Sequence, residues 1–266
     1  MRLILLTMAL TLASPAFGGA WMRAEGTGFL SYSATVEQNS KIQNSLYVDY
    51  GARANLSLGI KINADMTTGR FRNGSGFVFA RKPITADDRP FIIAYEVGIG
   101  TTFGQSSEPL LLTALGYGRG LKIGDHYGWL AVDGAVEWSL SEISYTAKLD
   151  TTFGLTLNER IKMMVQVFYS QTETESSTKF TPSLIWEPGN GEVSYQIGAS
   201  IEDSAVALKF GLWKDFRDGA TALPPPRYSY LSMRTVARIC PRIAVLNSSE
   251  NASFLAPTRP LATGVS

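Results

Sequence analysis

The sequence predicts an all-β chain, a transmembrane antiparallel up-and-down β-barrel of about 12 strands. Three observations carry that expectation. Apolar and polar residues alternate with period two in segment after segment, as they do on strands with one greasy and one wet face. The segments run to about 9–13 residues, enough for a tilted strand to cross a bilayer. The chain also opens on what reads as an export signal.

That signal is assigned to residues 1–20. Arg2 supplies the positive start and Leu3 to Ala13 the apolar run. Ala16-Phe17-Gly18 is a small-x-small cleavage site, with Gly18-Gly19-Ala20 as the alternative. The run is too short for a membrane-spanning helix, which needs about 20 residues. Cys240 is the sole cysteine, so neither an intramolecular disulfide nor a lipid-attachment box is available. With 25 Gly, 13 Phe, 11 Tyr and 5 Trp, the composition suits many strands joined by turns. Residues 19–216 hold 17 Lys and Arg against 21 Asp and Glu, and that mildly acidic balance argues against nucleic-acid binding.

The strands follow in order. In the first, Leu30, Tyr32, Ala34 and Val36 alternate with Ser31, Ser33, Thr35 and Glu37. The second sets Ile42, Leu46, Val48 and Tyr50 against Gln43, Ser45, Tyr47 and Asp49. After a turn at Gly51-Ala52-Arg53, the third carries Leu56, Leu58, Ile60 and Ile62 opposite Ser57, Gly59, Lys61 and Asn63. Residues 67–74 read as a connection to a fourth strand near 75–82, and the Pro- and Asp-rich stretch 83–90 as a turn. The fifth strand has Phe91, Ile93, Tyr95, Val97 and Ile99 on one face, and the sixth covers 110–119. The seventh places Leu130, Val132, Val136 and Trp138 opposite Asp133 and Glu137. The eighth sets Ile143, Tyr145, Ala147 and Leu149 against Ser144, Thr146, Lys148 and Asp150. Beyond Asn158-Glu159-Arg160, Ile161, Met163, Val165, Val167 and Tyr169 form the ninth. The tenth lies near 178–186, and the eleventh carries Val193, Tyr195, Ile197, Ala199 and Ile201. The twelfth, 205–216, has Val206, Leu208, Phe210, Leu212 and Phe216 on one face and Ala207, Lys209, Gly211, Trp213 and Asp215 on the other.

An even strand number returns the chain to the side where it began. With a periplasmic N-terminus, turns at 51–54, 83–90, 119–126, 158–160 and 187–191 face the periplasm. Loops at 38–41, 67–74, 101–109, 139–143, 170–177 and 202–204 then face outward. Alternation alone does not say which face points where, since a soluble barrel or sandwich turns the same apolar residues inward. The export signal, the strand lengths and aromatics near strand ends (Tyr50, Phe91, Trp138, Trp186 and Phe216 among them) favour the membrane barrel. On that reading Lys61, Asp65, Glu96, Asp133, Glu137, Lys148, Asp150 and Lys162 line the lumen.

A last strand that ends in aromatics with a final Phe resembles the closing signal of Gram-negative outer-membrane β-barrels. The resemblance extends over residues 19–216. Within it, Val48-Asp49-Tyr50-Gly51-Ala52-Arg53-Ala54-Asn55-Leu56-Ser57-Leu58-Gly59 resembles a strand–turn–strand unit of transporter-like outer-membrane families, such as the one associated with the phenol-degradation (MetA) pathway. The resemblance implies location in the cell outer membrane, lipids as partners, and a barrel-assembly machinery that reads the Phe216 end. From Arg217 the pattern stops. Residues 217–266 contain Pro224-Pro225-Pro226 and six Arg without Lys. They read either as a disordered periplasmic extension or as frameshifted or read-through sequence. Arg227 to Arg242 could meet anionic lipid or peptidoglycan, or be simply solvated; Cys240 reads as a free thiol.

Little points to chemistry. The one histidine, His126, falls in an expected periplasmic turn, on the wrong side for acyl chemistry in the outer leaflet. There is no Cys/His cluster, P-loop or GxSxG elbow, so neither an enzyme, a cofactor nor a metal is expected. Asp87-Asp88 and Glu173/Glu175 could hold a divalent cation weakly or be flexible acidic loops. Two functions remain: passive passage of small solutes through a polar lumen of both signs, or a non-conducting structural or surface barrel. Charges that pair across the lumen and plug it are the alternative to an open pore.

Overall fold

The computed structural model describes residues 19–217, apart from 39, 87–88, 105, 142–143, 190–192 and 203–204. Its strands are β1 (Thr27–Glu37), β2 (Lys41–Arg53), β3 (Leu56–Thr67), β4 (Arg70–Pro83), β5 (Phe91–Phe103) and β6 (Pro109–Ile123). They continue as β7 (His126–Ser139), β8 (Tyr145–Thr156), β9 (Ile161–Gln171), β10 (Ser176–Trp186), β11 (Val193–Glu202) and β12 (Ala205–Arg217). Each pairs antiparallel with its sequence neighbours. β1 closes on β12 from Thr27↔Arg217 to Glu37↔Ala207, so the sheet has no free edge. Residues 218–266, the expected tail beyond Arg217, lie outside the described residues.

The period-two pattern sorts directly into two faces. Val78, Ile99, Leu115, Ile197 and Leu208 point outward, each about half exposed, whereas Asp49, Ser57 and Arg81 on the other face are essentially buried. In water an apolar belt of this extent would promote association. In hydrocarbon it is the favoured exterior, and ring closure satisfies every strand edge. The soluble alternative, with Leu58 and Ile60 turned into a dry centre, is thereby excluded. Outward aromatics stack across strands near their ends: Phe71 on Phe103, Phe91 on Tyr117 and Trp186 on Tyr195, with centroids 5.6–5.9 Å apart.

Several strands outrun the expected segments. The connection expected at 67–74 is instead a two-residue turn, and β4 begins at Arg70. Thr68 (φ 52°) and Gly69 (φ 73°) both take the left-handed conformation that a type I′ hairpin requires. A register shift opposite Asp65 and Met66 absorbs the extra residue on β4. The loop at 101–109 contracts to 104–108. His126 is a strand residue paired with Ile123, not a turn residue; the turn is Gly124-Asp125, with Gly124 at φ 58°.

The interior is not uniformly wet, contrary to expectation. At the end of the barrel where β1 begins and β12 finishes (the near end), Phe29, Trp129, Met164, Ile185 and Trp213 form a buried crescent, with Trp21 and Tyr47 packed against it. Phe77, Leu110 and Leu112 make a second cluster toward the far end. Inward glycines make room: a Cβ on Gly154 would lie 1.8 Å from the Trp129 ring. The lumen is therefore amphipathic, with apolar patches packed beside ion pairs.

Candidate functional site

The luminal site begins with residues that have no periodicity. Gly19 to Gly26 precede β1 and run inside the barrel. Ala20 is fully buried, and the Trp21 ring lies against Gly118 of β6. Arg23 is held most firmly. Its Nε donates to Asp49 Oδ1 at 2.7 Å, its Nη1 lies 3.8 Å from Asp215, and its guanidinium stacks 4.5 Å above the Phe29 ring. The Arg23 backbone N–H donates to Ser57 Oγ at 3.2 Å, and Gly26 N–H to the Gly51 carbonyl at 3.0 Å. The segment thus narrows the near end from within.

β2, β3, β4 and β5 build a charge network around it. Arg81 donates through Nη2 to Glu96 Oε2 at 2.6 Å, and through Nη1 to Asp49 Oδ2 at 3.5 Å and the Trp21 carbonyl at 3.4 Å. Lys61 Nζ donates to the other Glu96 oxygen at 2.5 Å, and Tyr47 Oη to Asp49 Oδ2 at 2.9 Å. Phe79 lies beneath both cations, 4.9 Å from Lys61 Nζ and 5.2 Å from Arg81 Cζ. Asp49, Arg81 and Glu96 are 0–4% exposed. Charges so deep are tolerable only because each meets an opposite charge and further hydrogen bonds.

All eight residues expected on the lumen side share the inward register, but they do not form one ring. Lys61 and Glu96 meet in the network above. Glu137 and Lys148 pair at 2.5 Å between β7 and β8. Lys162, near the close of the crescent, pairs with Glu187 at 2.5 Å. Asp133 and Asp150 stand directly opposite each other in register, and Asp65 sits at the β3 bulge opposite Asn73. Sequence reasoning missed Arg23, Asp49 and Arg81, which make the densest contacts. It also missed Lys179, which donates to Gln43 at 2.9 Å from a strand four places round the barrel and pairs with Glu202 at 3.1 Å. Lys209, too, was not singled out; it donates to Gln166 at 3.2 Å. Parity was the available signal, because Arg81 follows Phe77 and Phe79 at steps of two.

What the arrangement offers is ionic and polar contact. His126 Nδ1 lies 3.1 Å from the Thr156 carbonyl at the exposed near-end rim. Among the described residues no group of three or more His, Cys, Asp or Glu could hold a metal, Glu173 and Glu175 included. Asp87-Asp88 lies outside the described residues.

No protein-family model matches the chain, and no curated protein matches it in sequence. Among solved structures it is similar to the KdgM porin, with 11% identity and a TM-score of 0.52 over 71% of this chain and 99% of that one. It is similar also to the NanC porin, with 12% identity and a TM-score of 0.54 over 70% and 98%. At such identities the likeness is one of fold. This chain has the fold of a Gram-negative outer-membrane β-barrel.

Proposed function

We propose that the protein resides in the cell outer membrane and passes small solutes passively through a polar lumen of both charge signs. One observation carries the reading: a closed 12-strand barrel puts an apolar belt outside and ionised side chains inside, the arrangement a wet path through lipid needs. Lys61, Asp65, Glu96, Asp133, Glu137, Lys148, Asp150 and Lys162 would line that path, together with Arg81, Lys179 and Lys209. One KdgM porin structure is of a complex with disordered oligogalacturonate. Here carboxylates share the lumen with the Lys and Arg side chains, which favours small neutral or zwitterionic cargo over a polyanion.

A second reading, a non-conducting structural barrel, is favoured by the Lys61–Glu96–Arg81–Asp49–Arg23 network and by the chain inside the near end. Planar-bilayer recording of the membrane-extracted protein separates the two. Discrete conductance steps support a channel; their absence, in wild type and after deletion of residues 19–25, supports the closed barrel. Heat-modifiable gel migration checks the barrel itself. Phe216, whose ring covers Gly28 on β1, would present the closing strand to the assembly machinery. Phe216→Ala is expected to lower the folded, heat-modifiable fraction in membranes without changing synthesis.

A further inference from the structure

At mid-depth in the lumen, Asp133 on β7 faces Asp150 on β8 as a direct cross-strand partner. Like charges so placed repel, and they call for a cation between them. The charged groups around Asp133 are Arg81, Lys61, Glu96 and Asp150. The cations around Asp133 are engaged elsewhere, Lys61 and Arg81 with Glu96; beside Asp150, Lys148 pairs with Glu137 and Lys209 donates to Gln166. Among the described residues Asp133 itself has no ion pair. What lies against its carboxylate is the start of the luminal segment. A Cβ on Gly19 would stand 2.5 Å from Asp133 Oδ2 and 2.8 Å from Oδ1. The Ala20 nitrogen and Asp133 Oδ1 crowd the same face of Gly116.

We propose that cleavage of the export signal between Gly18 and Gly19 creates the missing cation: the new α-ammonium of Gly19 pairs with Asp133 and latches residues 19–26 inside the barrel. Hydrolysis of the Gly18–Gly19 amide adds one water. It leaves a carboxylate on the departing signal and an amine on Gly19 that takes up a proton at neutral pH. By bond geometry that nitrogen lies within about 5 Å of the Asp133 oxygens, close enough for a strong charge interaction. An uncleaved amide at the same place carries no charge and cannot form the pair. Processing and closure are thereby coupled. The anchors downstream are built to hold the segment once its end is seated: Trp21 against Gly118, Arg23 on Asp49 and Ser57, and Gly26 on Gly51. The inference requires the barrel and the export signal, and holds whether or not the lumen conducts.

The test uses full-length protein extracted from membranes, its first residue fixed by mass spectrometry and its α-amine labelled with an N-terminus-selective aldehyde. The mature chain is expected to begin at Gly19, and its amine to react about tenfold more slowly folded than in urea, as an ion-paired ammonium should. Asp133→Asn, which keeps the side chain's shape, is expected to abolish most of that protection. A variant with two alanines inserted before Gly19 is expected to lose it as well, and it decides the matter should Asp133→Asn not fold. A mature chain that begins at Trp21 or elsewhere, equal labelling rates folded and unfolded, or protection that survives removal of the carboxylate each overturns the proposal.

Discussion

Arg81 shows how a single side chain organises the near half of the lumen. It is 2% exposed and lies between Asp49 and Glu96, themselves essentially buried, with Phe79 below and the Trp21 carbonyl above. Removal of one member of such a buried set leaves the others charged and uncompensated, which costs about 3–5 kcal/mol. Arg81→Met should therefore destabilise the barrel by about that amount, and Glu96→Gln added to it should recover part of the loss. Urea unfolding in lipid vesicles, followed by tryptophan fluorescence, measures both; a neutral Arg81→Met would mean that the network holds nothing. Gly154 tests packing in the same way. Any side chain there meets the Trp129 ring, so Gly154→Val should cost about 1–3 kcal/mol and alter the near-ultraviolet dichroism of the crescent. Neither Arg81 nor Trp129 stands out in the sequence. Arg81 sits beside Lys82 just ahead of a Pro-rich turn and resembles a solvated end, and Trp129 lies on a face taken to be wet.

At the scale of the strand, the sequence was most informative where a segment lies wholly within the belt. Residues 56–65 alternate without a fault, and β3 runs Leu56–Thr67. It was least informative at strand ends. Arg70, Phe71 and Asn73 pair with β3, with Arg72 bulged between them, yet the stretch shows no alternation, because beyond the hydrocarbon both faces of a strand meet water. The same holds for Gly120 to Ile123 on β6, paired with β7 but read as a turn. Local hydropathy reports the belt, whereas cross-strand hydrogen bonds carry the ladder past it. This yields a depth-dependent prediction. Val97 projects from the middle of β5 into the belt, and Phe71 from the first turn of β4 at its margin. Val97→Arg should cost about 2–4 kcal/mol and Phe71→Arg about 0–1 kcal/mol. Equal costs in vesicle unfolding would mean that the outward face does not lie in hydrocarbon.

At the scale of the molecule, function turns on the bore, and there the sequence is silent for a physical reason. Residues 19–26 have no pattern of their own; they are fixed by distant partners, Asp49, Ser57 and Arg81 at 26 to 60 positions and Gly118 and Asp215 farther still. Such contacts exist only after the ring has closed, so no local signal announces them. Their removal has a signed consequence. Deletion of residues 19–25 takes away Arg23, the exposed Glu25, the buried Ala20 and the partly buried Trp21, and leaves Asp49 and Asp215 facing a wider near end without the inner cation that reaches both. The lumen should then conduct several-fold more and shift toward cation selectivity, because fixed carboxylates attract counter-ions into a confined path. Arg23→Ala, which takes away one of the two arginines on Asp49 but leaves Trp21 in place, should shift selectivity in the same direction with a smaller gain in conductance. The measurement is single-channel current and reversal potential under a salt gradient. Heat-modifiable migration serves as the control that the shortened chain still closes its ring. Unchanged current and reversal potential in a properly closed, shortened barrel would place the constriction deeper, at the Lys61–Glu96–Arg81 pairs rather than at the entering chain.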